Sequence, residues 1–151
     1  MKKAVAILLL VALALSLFGC ASAKGKLKSV QKTGKLVVYM DPNFPPFEFM
    51  GASGAEGVDV EIAKAIAQEL GVQVEIQEAN FDAIVMSIKG GKGDIAISGL
   101  TVTQERQKSV DFSIPYINSV QYLILPADSN LDTVESLAGL SVGVAKGYTG
   151  S

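Results

Sequence analysis

Leu36-Val37-Val38-Tyr39-Met40 is apolar at every position, and Pro42, Pro45 and Pro46 follow it closely. Five residues are too few for a buried helix. A run with no polar side suits a strand covered on both faces, and such strands belong to parallel sheets. Parallel strands need crossovers long enough to hold a helix. The sequence supplies two. Val58, Ile62, Ala65, Ile66 and Leu70 recur at helical spacing, and Gly71 closes that helix. Val72-Gln73-Val74-Glu75-Ile76 then alternates as a second strand. Asn80 is placed to cap a second helix whose buried stripe is Ile84, Val85 and Ile88, and Gly90-Gly91 ends it. Asp94 to Ser98 is a third strand. The order β-α-β-α-β with short connections predicts an α/β, doubly wound sheet with right-handed crossovers.

In open α/β sheets, ligands bind beyond the carboxyl ends of the strands. The prolines after the first strand argue against helix and against ladder pairing, so Asp41 to Phe49 is expected as a stiff loop presenting Asp41 and Phe44 there. Gly51 to Gly57 is a flexible turn. Phe81 opens the second helix on the same edge, either as core or as cover for a ligand. The third strand runs into Ser98-Gly99-Leu100-Thr101-Val102-Thr103-Gln104-Glu105-Arg106. Thr103 can cap a short helix with Arg106 in its first turn. A cation is unfavourable at the positive end of a helix, so this one is either solvated at the surface or placed to meet an anion. Its planar fork matches a carboxylate bidentately. Asp41, Phe44, Phe81, Ser98, Gly99 and Thr101 converge on one sheet edge, as a small-molecule site requires.

Composition narrows the chemistry. The net charge is −2 and there is no basic patch, which argues against nucleic acid. The chain has no His, the commonest general base and metal ligand, and a single Cys, so no intramolecular disulfide. No cofactor and no metal are expected.

The N-terminus reads as an export signal. Met1-Lys2-Lys3 is basic, Ala4 to Phe18 is apolar but short for a membrane span, and Gly19-Cys20 follows. This arrangement resembles the bacterial lipobox, in which the Cys is lipid-modified and becomes the new N-terminus. An ordinary secretory signal or an anchor helix is the alternative. Ala21 to Lys32 is then a polar, Lys-rich tether. At the other end, Val120 to Leu125 reads as a strand, Asp132-Thr133-Val134-Glu135 as a capping box, and Ser141 to Val144 as a further strand. The strand and the turn from Lys146 to Ser151 prepare a helix, so a second lobe is expected to start near Leu125 to Asn130 and to be incomplete here.

Six segments stand in one familiar order: Asp41 to Phe49, Gly57 to Ile66, Phe81 to Ile84, Gly93 to Arg106, Val110 to Tyr116, and Val142 to Gly150. Together they resemble the extracellular solute-binding proteins of family 3, the amino-acid-binding components of ABC importers. The resemblance implies a type II periplasmic-binding-protein fold, with two α/β lobes joined by two crossover strands that close on an amino acid. It implies that Arg106 binds the ligand α-carboxylate, that Gly99 and Thr101 meet its α-amino or carboxylate groups, and that Phe44 and Phe81 pack its side chain. Asp41 would read a polar tip, or make an Asx-type turn bond before Pro42. Thr149 and Gly150 would close from the second lobe. Phe47 and Phe49 are expected in the core, and Lys146 in solvent. The expected division is a signal over 1–19, lipidated Cys20 and tether over 20–34, the first lobe over 35–125, and crossover plus the start of the second lobe over 126–151.

The expected role is a monomeric, non-enzymatic, lipid-anchored receptor on the outer face of the cell membrane or in the periplasm, delivering a polar or basic amino acid to an ABC permease. A ligand-sensing domain would bind identically. A cyclic-acid dehydratase or a lytic enzyme on the same fold would need a general acid or base, for which Asp41, Glu48 or a residue of the expected remainder of the second lobe could serve. A structural surface lipoprotein would bind no small molecule tightly.

Overall fold

The computed structural model describes residues 25–150. Cys20 and the expected export signal lie outside the described residues. Strand β1 (Lys35–Met40) is the centre of a three-stranded parallel sheet. It pairs on one side with β5 (Gln73–Glu78) over its whole length, and on the other with β6 (Ile95–Ala96). The sheet order β5-β1-β6 is that of a wound α/β unit, as the apolar runs require. The third strand is shorter than the expected Asp94 to Ser98. Asp94 instead accepts the Val37 N–H through its carboxylate, at 2.9 Å, so a side chain replaces a ladder carbonyl.

Helix α2 (Val58–Glu69) makes the first crossover and α3 (Phe81–Lys89) the second. The core consists of Leu36, Val38 and Met40 from β1, with Val60, Ala63 and Ala67 from α2, and Val30 and Ile97. This corrects the expected α2 stripe. Val58, Ala65 and Ile66 are exposed, and Ile62 and Leu70 are half-buried. Small alanines let the helix lie close on the strand beside Val60, with Ile62 and Leu70 packed at the border of the core and Val58 and Ile66 outside it. On α3, Ile84 is buried as expected, but Val85 and Ile88 are only half-buried. Ile62, Ile66, Val85, Ile88, Ile95 and Ile117 line an apolar groove beside β6, one of the two edge strands of this sheet.

Four further expectations are corrected. Part of the expected tether is a helix, α1 (Lys26–Thr33), which anchors through buried Val30 and ends at Gly34. The proline loop does pair: β2 (Asn43–Phe44), β3 (Glu48–Gly51) and β4 (Gly54–Glu56) form an antiparallel meander. Pro42, Pro45 and Pro46 all stand outside the ladder, in the flanking turns, where the missing N–H costs nothing. Beyond α4 (Gln104–Gln107), the strands expected at Val120 to Leu125 and Ser141 to Val144 are not formed. Ile124 is 97% exposed and Tyr122 83% exposed. A strand is held by its neighbours' ladder bonds, and none among the described residues pairs with these. The expected capping box is a single 3-10 turn (Glu135–Leu137) in which Thr133, not Asp132, accepts the Ser136 N–H.

Candidate functional site

Asp41 leaves the end of β1 and ties three elements together. Its N–H donates to Ser98 Oγ at 3.0 Å, which fixes the turn after β6. Its carboxylate Oδ2 accepts the Phe81 N–H at 3.1 Å, and Oδ1 accepts from the Asn43 side chain. Asn80, the expected cap of α3, makes no side-chain cap bond. The carboxylate of Asp41 takes that place, where a negative charge also suits the helix dipole.

Under this edge lies a buried acid network. Glu48 is 1% exposed and Asp59 is fully buried. The hydroxyl of Ser98 donates to Glu48 Oε1 at 2.7 Å. Asp59 Oδ2 accepts the Gly99 N–H and the Tyr116 hydroxyl, each at 3.0 Å. Asp59 reaches this position because the proline turn holds the start of α2: the Pro46 and Phe47 carbonyls accept the Val58 and Asp59 N–H groups at 3.2 and 2.9 Å. Gly57 has a φ of 125°, and a Cβ there would lie 2.3 Å from the Phe47 carbonyl oxygen, so only glycine allows the approach. Burial, with the charges of Asp59 and Asp41 and the hydrogen bond to Asp59, pushes Glu48 up to about 8, against the opposing bond from Ser98. Burial and the Asp59 charge likewise raise the Tyr116 phenol. Asp59 and Tyr116 escaped the reading of the sequence. The available signal was Glu48 between Phe47 and Phe49, a carboxyl in an apolar strand that must find a partner.

The other side of the site is built on Arg106. Thr103 caps α4 as expected, its Oγ1 accepting the Arg106 N–H at 3.2 Å. The guanidinium donates to the Thr101 carbonyl at 2.8 Å and to the Gly147 carbonyl at 2.9 Å. It stands 5.3 Å from the centre of the Phe81 ring. Tyr148 stacks on the same ring at 4.1 Å, nearly parallel. Partial burial lowers the Arg106 pKa. Among the described residues no carboxylate pairs with this cation. Lys146 is 89% exposed on its side chain, as expected, and its amine meets Asp82 at 2.8 Å.

The expected site residues therefore separate. Arg106, Thr101 and Phe81 come together, joined by Gly147 and Tyr148. Phe44 stands at the rim, stacked on Phe47 and facing Gly99. The Ser98 hydroxyl and the Gly99 N–H are turned inward to the acid network. Thr149 accepts from Gln121 at 3.2 Å, and Thr149 and Gly150 are exposed. Among the described residues no group of three or more His, Cys, Asp or Glu is arranged to hold a metal, and no helix is long and apolar enough to cross a membrane.

Residues 36–149 match the family described as bacterial extracellular solute-binding proteins, family 3. The arginine-binding extracellular protein ArtP of Bacillus subtilis is 33% identical over 147 residues, covering 97% of this chain and 57% of that protein. The L-cystine-binding protein TcyJ of Escherichia coli is 34% identical over 127 residues, covering 82% of this chain and 48% of that protein. Among solved structures, the arginine-bound form of domain 1 of TmArgBP superposes with a TM-score of 0.57 at 44% identity, over 58% of this chain and 71% of that one. An enzyme is also similar: a membrane-bound lytic murein transglycosylase F of Desulfosudis oleivorans is 31% identical over 153 residues, 99% of this chain and 34% of that protein. The chain spans about half the length of the two binding proteins. On the strength of the family match, it belongs to the bacterial extracellular solute-binding proteins, family 3.

Proposed function

We propose that the chain supplies the first lobe of an amino-acid receptor that delivers its ligand to an ABC permease. The observation that carries this reading is Arg106: a half-buried guanidinium over an aromatic ring, held by two carbonyls and by no carboxylate among the described residues. Carbonyls satisfy its donors without neutralising its charge, which leaves a strong attraction for an anion. The α-carboxylate of an amino acid is that anion. The exposed Thr101 and the Gly99 carbonyl take the α-amino end, while Phe44 and Phe81 pack the side chain. Asp41 contributes by capping α3 and so orienting Phe81. Ser98 contributes from within, as the support of the turn. Thr149 and Gly150 join on closure of the second lobe, which begins near residue 126, by a hinge movement of the lobes.

A polar or basic ligand fits best. Aromatic faces attract cationic tips, and ArtP and the TmArgBP domain are both named for arginine. The role is non-enzymatic. Cleavage after residue 19, lipidation of Cys20 and a monomeric state complete the proposal, with the protein exported and anchored on the outer face of the membrane or in the periplasm. Calorimetric titration of the full-length protein with a panel of amino acids tests it. Saturable binding of an amino acid with a free α-carboxylate supports the reading, and no binding by any of the panel overturns it.

A further inference from the structure

Glu48 on β3 and Asp59 on α2 are two carboxyls sealed from solvent, 50 and 40 residues away in sequence from the Ser98 and Gly99 groups they hold. Each uses one oxygen for that turn. Glu48 Oε1 accepts from the Ser98 hydroxyl, and Asp59 Oδ2 accepts from the Gly99 N–H and the Tyr116 hydroxyl. The remaining oxygens, Glu48 Oε2 and Asp59 Oδ1, are buried and receive no donor from any other residue among those described. Two ionised carboxylates side by side in such a place would repel and leave two uncompensated charges. One proton between them removes a charge and supplies the missing bond.

We propose that Glu48 carries a proton directed at Asp59, and that this acid pair is the positioning device that holds the Ser98–Gly99 turn in its binding geometry. The groups around the pair set its behaviour. Asp59 faces Glu48 from α2, Asp41 from the end of β1, and the phenols of Tyr116 and Tyr148 from the later chain. Two of these are acidic, and the cations of the site contribute nothing to Glu48 among the causes that shift it. The proton sits on Glu48, whose folded value of about 8 stands well above the ordinary 4.5. Folding therefore takes up about one proton between these values. The stability contributed by this protonation is fully present below the ordinary carboxyl value and is lost as pH rises through about 8. Above that pH the pair is doubly ionised, the turn loosens, and amino-acid affinity falls by up to about tenfold per pH unit. This last consequence rests on the proposed amino-acid function; the protonation itself does not.

The test uses full-length protein and Glu48→Gln, whose amide can donate to Asp59 and accept from Ser98 as a protonated carboxyl would. Denaturant unfolding is measured from pH 5 to 9, and infrared difference spectra are recorded at neutral pH. The expected results are a stability that falls across the wild-type window and flattens in Glu48→Gln, and a protonated-carboxyl band at pH 7 that the substitution removes. Ligand titration above pH 8 should show a loss of affinity in wild type that is absent from the variant. A wild-type stability that does not fall across that window, or the absence of that band, overturns the acid pair whatever the ligand. A Glu48→Gln protein that cannot fold overturns it as well, because the neutral isostere should be accepted. An intact band and slope with no amino-acid binding at any pH would instead overturn the receptor reading and leave the pair standing.

Discussion

The two halves of the candidate site are made differently. The acid side, with Glu48, Asp59 and Ser98, is buried, and its partners come from β3, α2 and the turn after β6. The cation side, with Arg106, is half-buried and leans on Gly147 and Tyr148, which belong to a stretch with no strand of its own. The first is a support that holds the turn from within. The second holds a charge that no carboxylate among the described residues neutralises, its partner oxygens being lent by the backbone of Thr101 and Gly147. The contrast separates what shapes the site from what binds in it, and substitutions on the two sides should fail in different ways.

The largest effect is expected from Arg106→Ala. It should weaken amino-acid binding by about 3 kcal/mol or more, the usual cost of removing one partner of a desolvated charge-assisted pair, with little change in melting temperature. Calorimetry and thermal unfolding on the same samples separate the two. Asp59→Ala should do the reverse first: it strands the Tyr116 hydroxyl proton and leaves the Gly99 N–H only the Tyr116 oxygen as acceptor, so it should cost about 2–3 kcal/mol of stability in denaturant unfolding. Equal losses of stability from both variants would erase the distinction. Tyr148→Ala removes the ring stacked on Phe81 and should change ligand affinity by about 1 kcal/mol, with stability within error. Lys146→Ala breaks an exposed pair with Asp82 and should leave the unfolding curve where it was. A large shift there would show that the lent segment is part of the framework.

The same contrast explains what was legible in the sequence. Leu36 to Met40 announced a parallel strand buried on both faces because a short run without a polar side has few other uses. Thr103 announced the cap before Arg106, because capping is a local event. The acid network was not legible. Glu48 and Asp59 meet only after the proline turn seats the first N–H groups of α2, an encounter that no local spacing encodes. Asp59 looked like an ordinary acid in a first helical turn. The α2 stripe misled for a related reason. Periodicity drew in Val58, Ala65 and Ile66, whereas the core selected Val60, Ala63 and Ala67, with Ile62 and Leu70 at its border. The expected strands after residue 119 depended on neighbours with which nothing described here pairs, so their apolar pattern remained without a ladder.

Whether Arg106 reads the α-carboxylate is the question on which the receptor account turns. The most direct measurement is a calorimetric cycle on full-length protein: wild type and Arg106→Ala, each titrated with the bound amino acid and with its α-carboxamide. If the guanidinium pairs with the carboxylate, wild type should lose most of its affinity for the amide, while the variant should bind acid and amide about equally weakly. A variant that still prefers the acid as strongly as wild type does would place the carboxylate elsewhere and contradict the account.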